Sequence, residues 1–462
     1  MTLIKSISGI RGTIGGKVGD NLTPIDAVKF ASAYGIWLKE QRNKDNYRVV
    51  IGRDARISGE MIQNLVMNTL VGLGIHVIDL GLSTTPTVEV AVPMEHADGG
   101  IILTASHNPK QWNALKLLNA KGEFLNAAEG ARILEIAEAD QMTFAEVDDL
   151  GKIGKNEAYM DIHIDEVLKM SLVNKEAIKE AKFKVVVDGV NSSGGIIIPL
   201  LLERLGVEAV KLYCEPTGHF PHNPEPLKEH LKDLSAMVVK EQAHFGIAVD
   251  PDVDRLAFVD EKGEMFGEEY TLVACADYVL SKTPGNTVSN MSSTRALRDI
   301  TEKHGGSYEA SAVGEVNVVE LMKKNDAVIG GEGNGGIIYP ELHYGRDALV
   351  GVALFLSLLA EKGMTTSALR ATYPNYFMGK KKIDLTPEID VDAILKAMEE
   401  RYKNEKLTTI DGVKIDFSDS WVHLRKSNTE PIIRIYTEAP SQDEADGLAD
   451  KIISEIKAVA NI

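Results

Sequence analysis

Val49-Val50-Ile51-Gly52-Arg53-Asp54, followed by a helical pattern over residues 59–73 and then by Gly74 and Ile75-His76-Val77-Ile78, decides how this chain folds. The short β-branched run reads as a buried strand, Gly74 closes the helix, and a second apolar run follows. Strand, polar loop, amphipathic helix and strand make one βαβ unit.

The unit recurs. Lys184-Val185-Val186-Val187 leads through Asp188-Gly189-Val190-Asn191 and a Leu-rich helix ending at Leu205 to Gly206 and Val207-Glu208-Ala209-Val210. A third, weaker copy begins near Thr287-Val288 and turns at Gly305-Gly306. Repetition of one supersecondary pattern predicts three related α/β domains. From Tyr373-Pro374-Asn375-Tyr376 onward the pattern changes to two helices, 390–403 and 441–458, with strands around 413–417, 421–424 and 432–436. That predicts a smaller C-terminal α+β domain. The expected domains are 1–150, 151–257, 258–372 and 373–462, with the acidic, Gly-interrupted stretch 136–158 as the first linker.

Composition agrees with several cores, since 462 residues is about three times the usual single-domain length. With 50 Lys and Arg against 68 Asp and Glu the net charge is −18, which repels polyanions and argues against nucleic acid or an anionic membrane as partner. A small anionic substrate stays compatible, provided a few Arg, Lys and backbone N–H groups converge in a cleft. Cys214 and Cys275 are too few for a disulfide framework or a thiolate metal site. The opening Met1-Thr2-Leu3-Ile4-Lys5-Ser6 lacks signal-peptide features and no apolar run approaches about 18 residues, so a reducing cytoplasm fits and no membrane span is expected.

Four loops carry chemistry. Gly100-Ile101-Ile102-Leu103 ends in Thr104-Ala105-Ser106-His107-Asn108-Pro109, which puts a hydroxyl at a strand tip, where it can act as a nucleophile or phosphate carrier. A plain Ser/Asn/Pro turn competes with that reading, whereas a hydrolase elbow is excluded by Ala105 and His107 on either side of the serine. His107 is a doubtful base for Ser106, because neighbouring side chains on extended backbone point apart. Asp250-Pro251-Asp252-Val253-Asp254-Arg255 stands between the apolar runs 246–249 and 256–259, and extended alternation there aims three carboxylates to one side. Hard oxygen ligands in that number suit Mg²⁺. An EF-hand is rejected because Arg255 occupies the position of the obligatory Gly and strands flank the loop.

Gly331-Glu332-Gly333-Asn334-Gly335-Gly336 matches a dinucleotide fingerprint but runs into the strand-like Ile337-Ile338-Tyr339-Pro340 instead of a helix. A turn offering Glu332 and Asn334 to a polyol, or a structural Gly turn, remains. Arg425-Lys426-Ser427-Asn428-Thr429-Glu430 joins two strand runs with donors of the kind that hold phosphate, or is a polar hairpin loop.

Taken in order, Thr104-Ala105-Ser106-His107-Asn108-Pro109, Asp250-x-Asp252-x-Asp254-Arg255, Gly331-Glu332-x-Asn334-Gly335 and Arg425-x-Ser427-Asn428-Thr429-Glu430-Pro431 resemble the α-D-phosphohexomutase superfamily, as does the opening Ser8-Gly9-Ile10-Arg11-Gly12. The resemblance spans essentially the whole chain and implies four domains around a central cleft, each contributing one loop. It implies Ser106 as the phosphoserine, with Mg²⁺ held by Asp250, Asp252, Asp254 and an oxygen on the Ser106 phosphoryl group. It implies acid/base work for Lys116, with Arg11 and His107 beside the phosphoryl group; Lys116 as a base needs a lowered pKa, for which a cation-rich pocket supplies a cause. Glu332 and Asn334 would bind sugar hydroxyls, Arg255 would face the substrate, and Arg425, Ser427, Asn428 and Thr429 would hold the phosphate that is not reacting. The implied reaction moves a phosphoryl group between the 6- and 1-positions of a phosphorylated hexose or hexosamine through a hexose 1,6-bisphosphate.

Where many members have Ser and His in the third loop, this chain has Asn334 and Gly336, and whether His343 compensates stays open. Asn334, Gly336 and Glu332 favour glucosamine phosphate over glucose or mannose phosphate: there is room at the sugar edge and an acidic neighbour for a 2-ammonium group. Pro251 and Val253 keep the glucose/mannose alternative open. A metal-dependent sugar phosphatase and a silent sugar-phosphate binding protein are the competing functions; a separate phosphate-anchor loop is unnecessary for simple hydrolysis.

Overall fold

Val49, Val50 and Ile51 have no solvent exposure because their strand is central in a sheet covered on both faces. The computed structural model describes residues 2–6, 9–42, 44, 46–139, 141–384, 390–426 and 432–460. Its first sheet contains β1 (Ile4–Ser6), β2 (Gly9–Thr13), β3 (Tyr47–Arg53), β4 (Ile75–Leu82), β5 (Gly99–Leu103), β6 (Trp112–Leu118) and β7 (Ile153–Lys155), in the order β1-β2-β6-β5-β3-β4-β7. The second contains β8 (Lys184–Asp188), β9 (Glu208–Leu212), β10 (Phe245–Val249) and β11 (Leu256–Asp260), ordered β11-β10-β8-β9. The third contains β12 (Asn286–Asn290), β13 (Tyr308–Ser311), β14 (Ala327–Glu332) and β15 (Gly336–Ile338), ordered β13-β12-β14-β15.

One wiring underlies all three. Two parallel strands joined by a helix take a third parallel strand on the other side, and that third strand turns back through a loop into an antiparallel fourth: β3-β4-β5-β6, β8-β9-β10-β11 and β12-β13-β14-β15. The loops after β5, β10 and β14 are those of Ser106, the aspartates and Glu332. Each therefore leaves the carboxyl end of a parallel strand, the end at which open α/β sheets hold their ligands.

The stretch 136–158 is more than a linker. The helix Ala127–Ala139 runs into it, and Ile153–Lys155 pairs with β4 as the edge of the first sheet. The fourth sheet is wholly antiparallel, with β16 (Phe377–Asp384), β17 (Lys406–Thr408), β18 (Val413–Asp416), β19 (Trp421–Lys426) and β20 (Ile432–Ala439) ordered β16-β20-β19-β18-β17. The helices Val391–Arg401 and Gln442–Ala460 belong to this last unit. The two edge strands, Phe377–Asp384 and Lys406–Thr408, are additions to the strands expected from the sequence.

The second and third units share one apolar core. Phe258 of β11 and Phe355 of the helix Ala348–Lys362 stack with centroids 3.8 Å apart, while Phe245 and Phe266 pack edge-on against Phe355. That helix is apolar all round because it is buried all round. Replacing Phe355 by Ala should cost about 3–5 kcal/mol through lost burial and the cavity left behind, read as a lower urea midpoint for the transition involving the second and third units.

Candidate active site

Ser106 stands on backbone that a side chain adopts reluctantly, with φ at +47°. Three neighbours hold it there. Thr104 Oγ1 accepts from the Ser106 N–H at 2.9 Å and donates to Asp54 Oδ2 at 2.6 Å. Arg56, fully buried, pairs through Nε with the same Asp54 oxygen at 3.0 Å. Its two terminal nitrogens donate to the backbone carbonyls of Ser106, Asn108, Pro109 and Trp112. A guanidinium has five fixed donors, and here they replace the backbone bonds this irregular loop lacks. Arg56 is not among the residues expected at the site, although Asp54 and Arg56 in the loop after β3 are a signal: β3 lies beside β5, so both loops open at the same sheet edge.

The aspartate loop gathers its carboxylates, but not by extended alternation. Val253 has φ +65°, its N–H bonds the Asp250 carbonyl at 3.1 Å, and Asp250 Oδ1 accepts from the N–H groups of Asp254 and Arg255, each at 3.1 Å. A tight turn brings Asp250, Asp252 and Asp254, all fully buried, within 4.8 Å of one another. The Ser106 hydroxyl donates to Asp250 Oδ2 at 2.6 Å across the boundary between the first and second units. Thr85, from the helix Thr85–Met94 of the first unit, bonds Asp252 through both its N–H and its hydroxyl.

Lys116 Nζ on β6 lies 2.6 Å from Asp252 Oδ2 and 3.2 Å from Asp254 Oδ2. Burial alone lowers its pKa, but Asp252 and Asp254 outweigh burial and hold it above the ordinary lysine value. The expected lowered pKa is thereby corrected: anions, not cations, surround the ammonium. Burial raises the Asp254 carboxyl, and Arg346 and Lys116 more than reverse this; Asp250, pushed up by burial and then by Asp254 and Asp252, stands well above the usual carboxylate range. Asp252 Oδ1 and Asp254 Oδ1 are buried and find no hydrogen-bond partner. Two anionic oxygens left free beside a third carboxylate are a donor set that fits a hard divalent cation.

His107 Nδ1 lies 3.4 Å from Ser106 Oγ, a proximity that the left-handed turn at Ser106 permits. Burial, then the Arg255 and Arg11 charges, hold this imidazole well below its ordinary pKa, in the neutral form. Arg11 on β2 donates to Asn108 Oδ1 at 3.3 Å, and Arg255 pairs with Glu225 at 3.0 Å.

The Glu332 loop is a hairpin from β14 to β15, as its Pro-ended continuation implied, with no helix to receive a pyrophosphate. Glu332 Oε1 accepts from Asn290 Nδ2 at 2.8 Å and from the Gly314 N–H at 3.2 Å; Oε2 lies 3.1 Å from Arg346 Nη1. Asn334 Oδ1 accepts from the Gly336 N–H at 3.2 Å. The Gly335 carbonyl accepts from the Leu256 N–H at 3.1 Å, tying this loop to the strand that leaves the aspartates. Arg346, which the sequence marks in the run Arg346-Asp347 but gives no role, and Glu315, which it does not mark, join the site here, and Arg346 reaches Asp254 at 2.8 Å. His343 turns instead to Asp347 at 3.1 Å, with Glu89 at 3.4 Å.

From the fourth unit, Arg425 at the end of β19 lies 3.9 Å from Asp411 Oδ2, an oxygen that also accepts from the Val313 N–H of the third unit. Ser427, Asn428 and Thr429 lie outside the described residues, as does Ser8. Ser106, Lys116, Arg255 and the aspartates thus share one buried cluster, with the half-buried His107 and Arg11 at its edge; Glu332 joins it through Arg346, and Arg425 stands beyond it beside Asp411.

This arrangement of loops has counterparts. Four family models match consecutive parts of the chain: phosphoglucomutase/phosphomannomutase alpha/beta/alpha domain I over residues 3–143, domain II over 161–263, domain III over 267–376, and the C-terminal domain over 382–455. The chain belongs to the phosphoglucomutase/phosphomannomutase family. A Thermococcus kodakarensis protein named phosphoglucomutase/phosphomannomutase is 37% identical over 94% of this chain and 95% of its own length. A Methanopyrus kandleri protein named "Probable phosphoglucosamine mutase" is 32% identical over 97% of each chain. The crystal structure of a phosphoglucomutase/phosphomannomutase family protein from Burkholderia thailandensis superposes with a TM-score of 0.83 at 25% identity, covering 98% of this chain and 96% of that one. Among the described residues no helix is long and apolar enough to cross a membrane.

Arg56→Met should strand the buried Asp54 charge and free four loop carbonyls, costing about 3–5 kcal/mol of stability. Urea denaturation measures this, and amide exchange should speed up first at residues 104–109.

Proposed function

We propose that this chain is a Mg²⁺-dependent phosphohexomutase, an isomerase that interconverts glucosamine 6-phosphate and glucosamine 1-phosphate through phosphorylated Ser106. The observation that carries the reading is the 2.6 Å bond from the Ser106 hydroxyl into a trio of buried aspartates that keeps two oxygens unpartnered. A serine so placed is a group carrier beside a cation site. Mg²⁺ held by Asp250, Asp252 and Asp254 would neutralise charge on the phosphoryl group in transfer.

The chain's own residues divide the remaining work. Ser106 Oγ gives its phosphoryl group to a sugar hydroxyl: the new O–P bond forms as the Oγ–P bond breaks, and the hydroxyl proton leaves. The resulting hexose 1,6-bisphosphate turns over in the cleft and returns the phosphoryl group from its other end to Ser106. Lys116 and Arg11 balance charge beside Ser106, and neutral His107 has a free lone pair that can take the hydroxyl proton. Glu332 and Asn334 engage sugar hydroxyls, Arg255 faces the substrate, and Arg425 with Ser427, Asn428 and Thr429 binds the phosphate not in transfer. The four units of this scheme follow the four sheets, each supplying one loop.

A second reading, glucose or mannose phosphate as substrate, is supported by the name of the Thermococcus relative. The amino sugar is favoured by the name of the Methanopyrus relative and by the Glu332 carboxylate, which suits a 2-ammonium group; the room expected at Gly336 is not there, because the Arg346 stem fills the space a side chain would take. With a bisphosphate activator present, kcat/KM for glucosamine 1-phosphate should exceed that for glucose 1-phosphate and mannose 1-phosphate by about tenfold. The reverse ranking would move the assignment to the neutral hexoses, and release of free phosphate in place of isomerisation would make the protein a phosphatase.

Ser106→Ala should lower kcat at least about a thousandfold with the thermal midpoint little changed, since the carrier oxygen is lost. Asp252→Asn should raise the Mg²⁺ concentration needed for half-maximal turnover, because one hard anionic ligand becomes neutral; an unchanged requirement would remove the aspartate loop from the cation site.

A further inference from the structure

Arg346 is 9% exposed and joins two functional loops that belong to different units. Nη2 lies 2.8 Å from Asp254 Oδ2, Nη1 3.1 Å from Glu332 Oε2, and Nε 2.7 Å from Glu315 Oε2. Each of its three nitrogens thus meets a different carboxylate: one from the aspartate loop, one from the Glu332 loop, and one from the helix Glu315–Lys324. Only a planar fork can do this, because a lysine ammonium is a single point of charge on a flexible stem.

The arginine is also fixed from behind. Its backbone bridges Ile338, the last residue of β15, and the following Asp347 N–H bonds the Ile337 carbonyl at 2.8 Å. Asp347 caps the helix Ala348–Lys362 with one oxygen and takes the imidazoles of His163 and His343 on the other. The stem then crosses the backbone of Gly336: a Cβ at that glycine would stand 2.3 Å from Arg346 Cδ and 3.0 Å from Cγ. The φ of Gly336 is not in the left-handed region, so the absence of a side chain there is a matter of space, and the space is taken by Arg346.

We propose that Arg346 is a positioning residue of the phosphoryl-transfer site, setting Glu332 at a fixed reach from Asp254 and lending the cation site one positive charge with which a bound divalent cation shares Asp254; residue 336 is glycine to admit its stem. The Glu332 half of this rests on the mutase reading above. The cation half does not.

Two properties of one side chain, charge and fork, should separate on substitution. Arg346→Met keeps most of the stem and removes the charge, so a divalent cation meets less repulsion at Asp254: Mn²⁺, titrated calorimetrically against protein with no sugar present, should bind about tenfold more tightly than to wild type. The same variant loses the hold on Glu332, so KM for the sugar phosphate should rise and kcat fall. Arg346→Lys restores charge without the fork; Mn²⁺ affinity should return toward wild type while KM stays raised. Gly336→Ala should raise KM beside Arg346 but have little effect in the Arg346→Ala background, since the clash is then gone.

A merely structural arginine predicts weakened or unchanged Mn²⁺ binding in Arg346→Met, and either result overturns the cation half. So does a wild type that binds no Mn²⁺. Full rescue of KM by lysine, or additive effects of Gly336→Ala and Arg346→Ala, overturns the positioning half. Should Arg346→Met melt early, Arg346→Lys carries the test through KM, because it keeps both stem and charge. If wild type isomerises no hexose phosphate, the mutase reading falls, and the Mn²⁺ titrations still decide the role of the charge.

Discussion

Three carboxylates buried within 4.8 Å of one another constrain everything around them. Like charges at that separation repel strongly where the dielectric is low, and each unpaired ion costs several kcal/mol to bury. Compensation is drawn from the whole molecule. Lys116 comes from the first unit, the N–H groups of Asp254 and Arg255 from the aspartate loop itself, and Arg346 from the third unit. No single unit could carry this cluster alone, so the site exists only where three units meet. The oxygens left over, on Asp252 and Asp254, mark where the compensation stops short and a cation fits.

Threefold repetition of one wiring is what brings the parts together. In each unit the loop leaving the third parallel strand turns into an antiparallel fourth, and that loop carries the side chains that meet at the aspartate cluster. The same position holds a hydroxyl in the first copy, three carboxylates in the second, and a carboxylate with an amide in the third. Between the second and third units the contact is a stack of phenylalanines. The contact between the third and fourth is polar: Arg295 with Glu438 at 3.5 Å, Lys380 with Glu268 at 3.0 Å, Ser292 to His423 at 2.8 Å, and Lys414, its pKa lowered to about 8 by burial, on the Met291 carbonyl. An apolar seam favours two units acting as one body, and a polar seam resembles those between parts that move.

Local pattern was enough for much of this. Apolar runs of β-branched residues, Gly-closed helices and their repetition gave the three α/β units; Ser106 at a strand tip, the alternating aspartates and the hairpin after Glu332 were all visible in a few adjacent residues. The strands Phe377–Asp384 and Lys406–Thr408 escaped because both are edges of the last sheet, and Lys380, Lys381 and Lys382 hide the alternation of the first.

Tertiary structure alone decided which charges meet. Lys116 finds Asp252 from 136 positions away, Arg346 finds Asp254 from 92, and Arg56 reaches the Ser106 carbonyl from 50. Whether a lysine is held protonated or driven neutral, whether a glycine bends the chain or merely makes room, and whether an arginine faces water or three carboxylates are all properties of such meetings. Periodicity is written in neighbours along one strand or helix, so the sequence determined the elements, their repetition and the chemical loops between them. Electrostatic state depends on distance and dielectric in space, and those came into being only when the units packed.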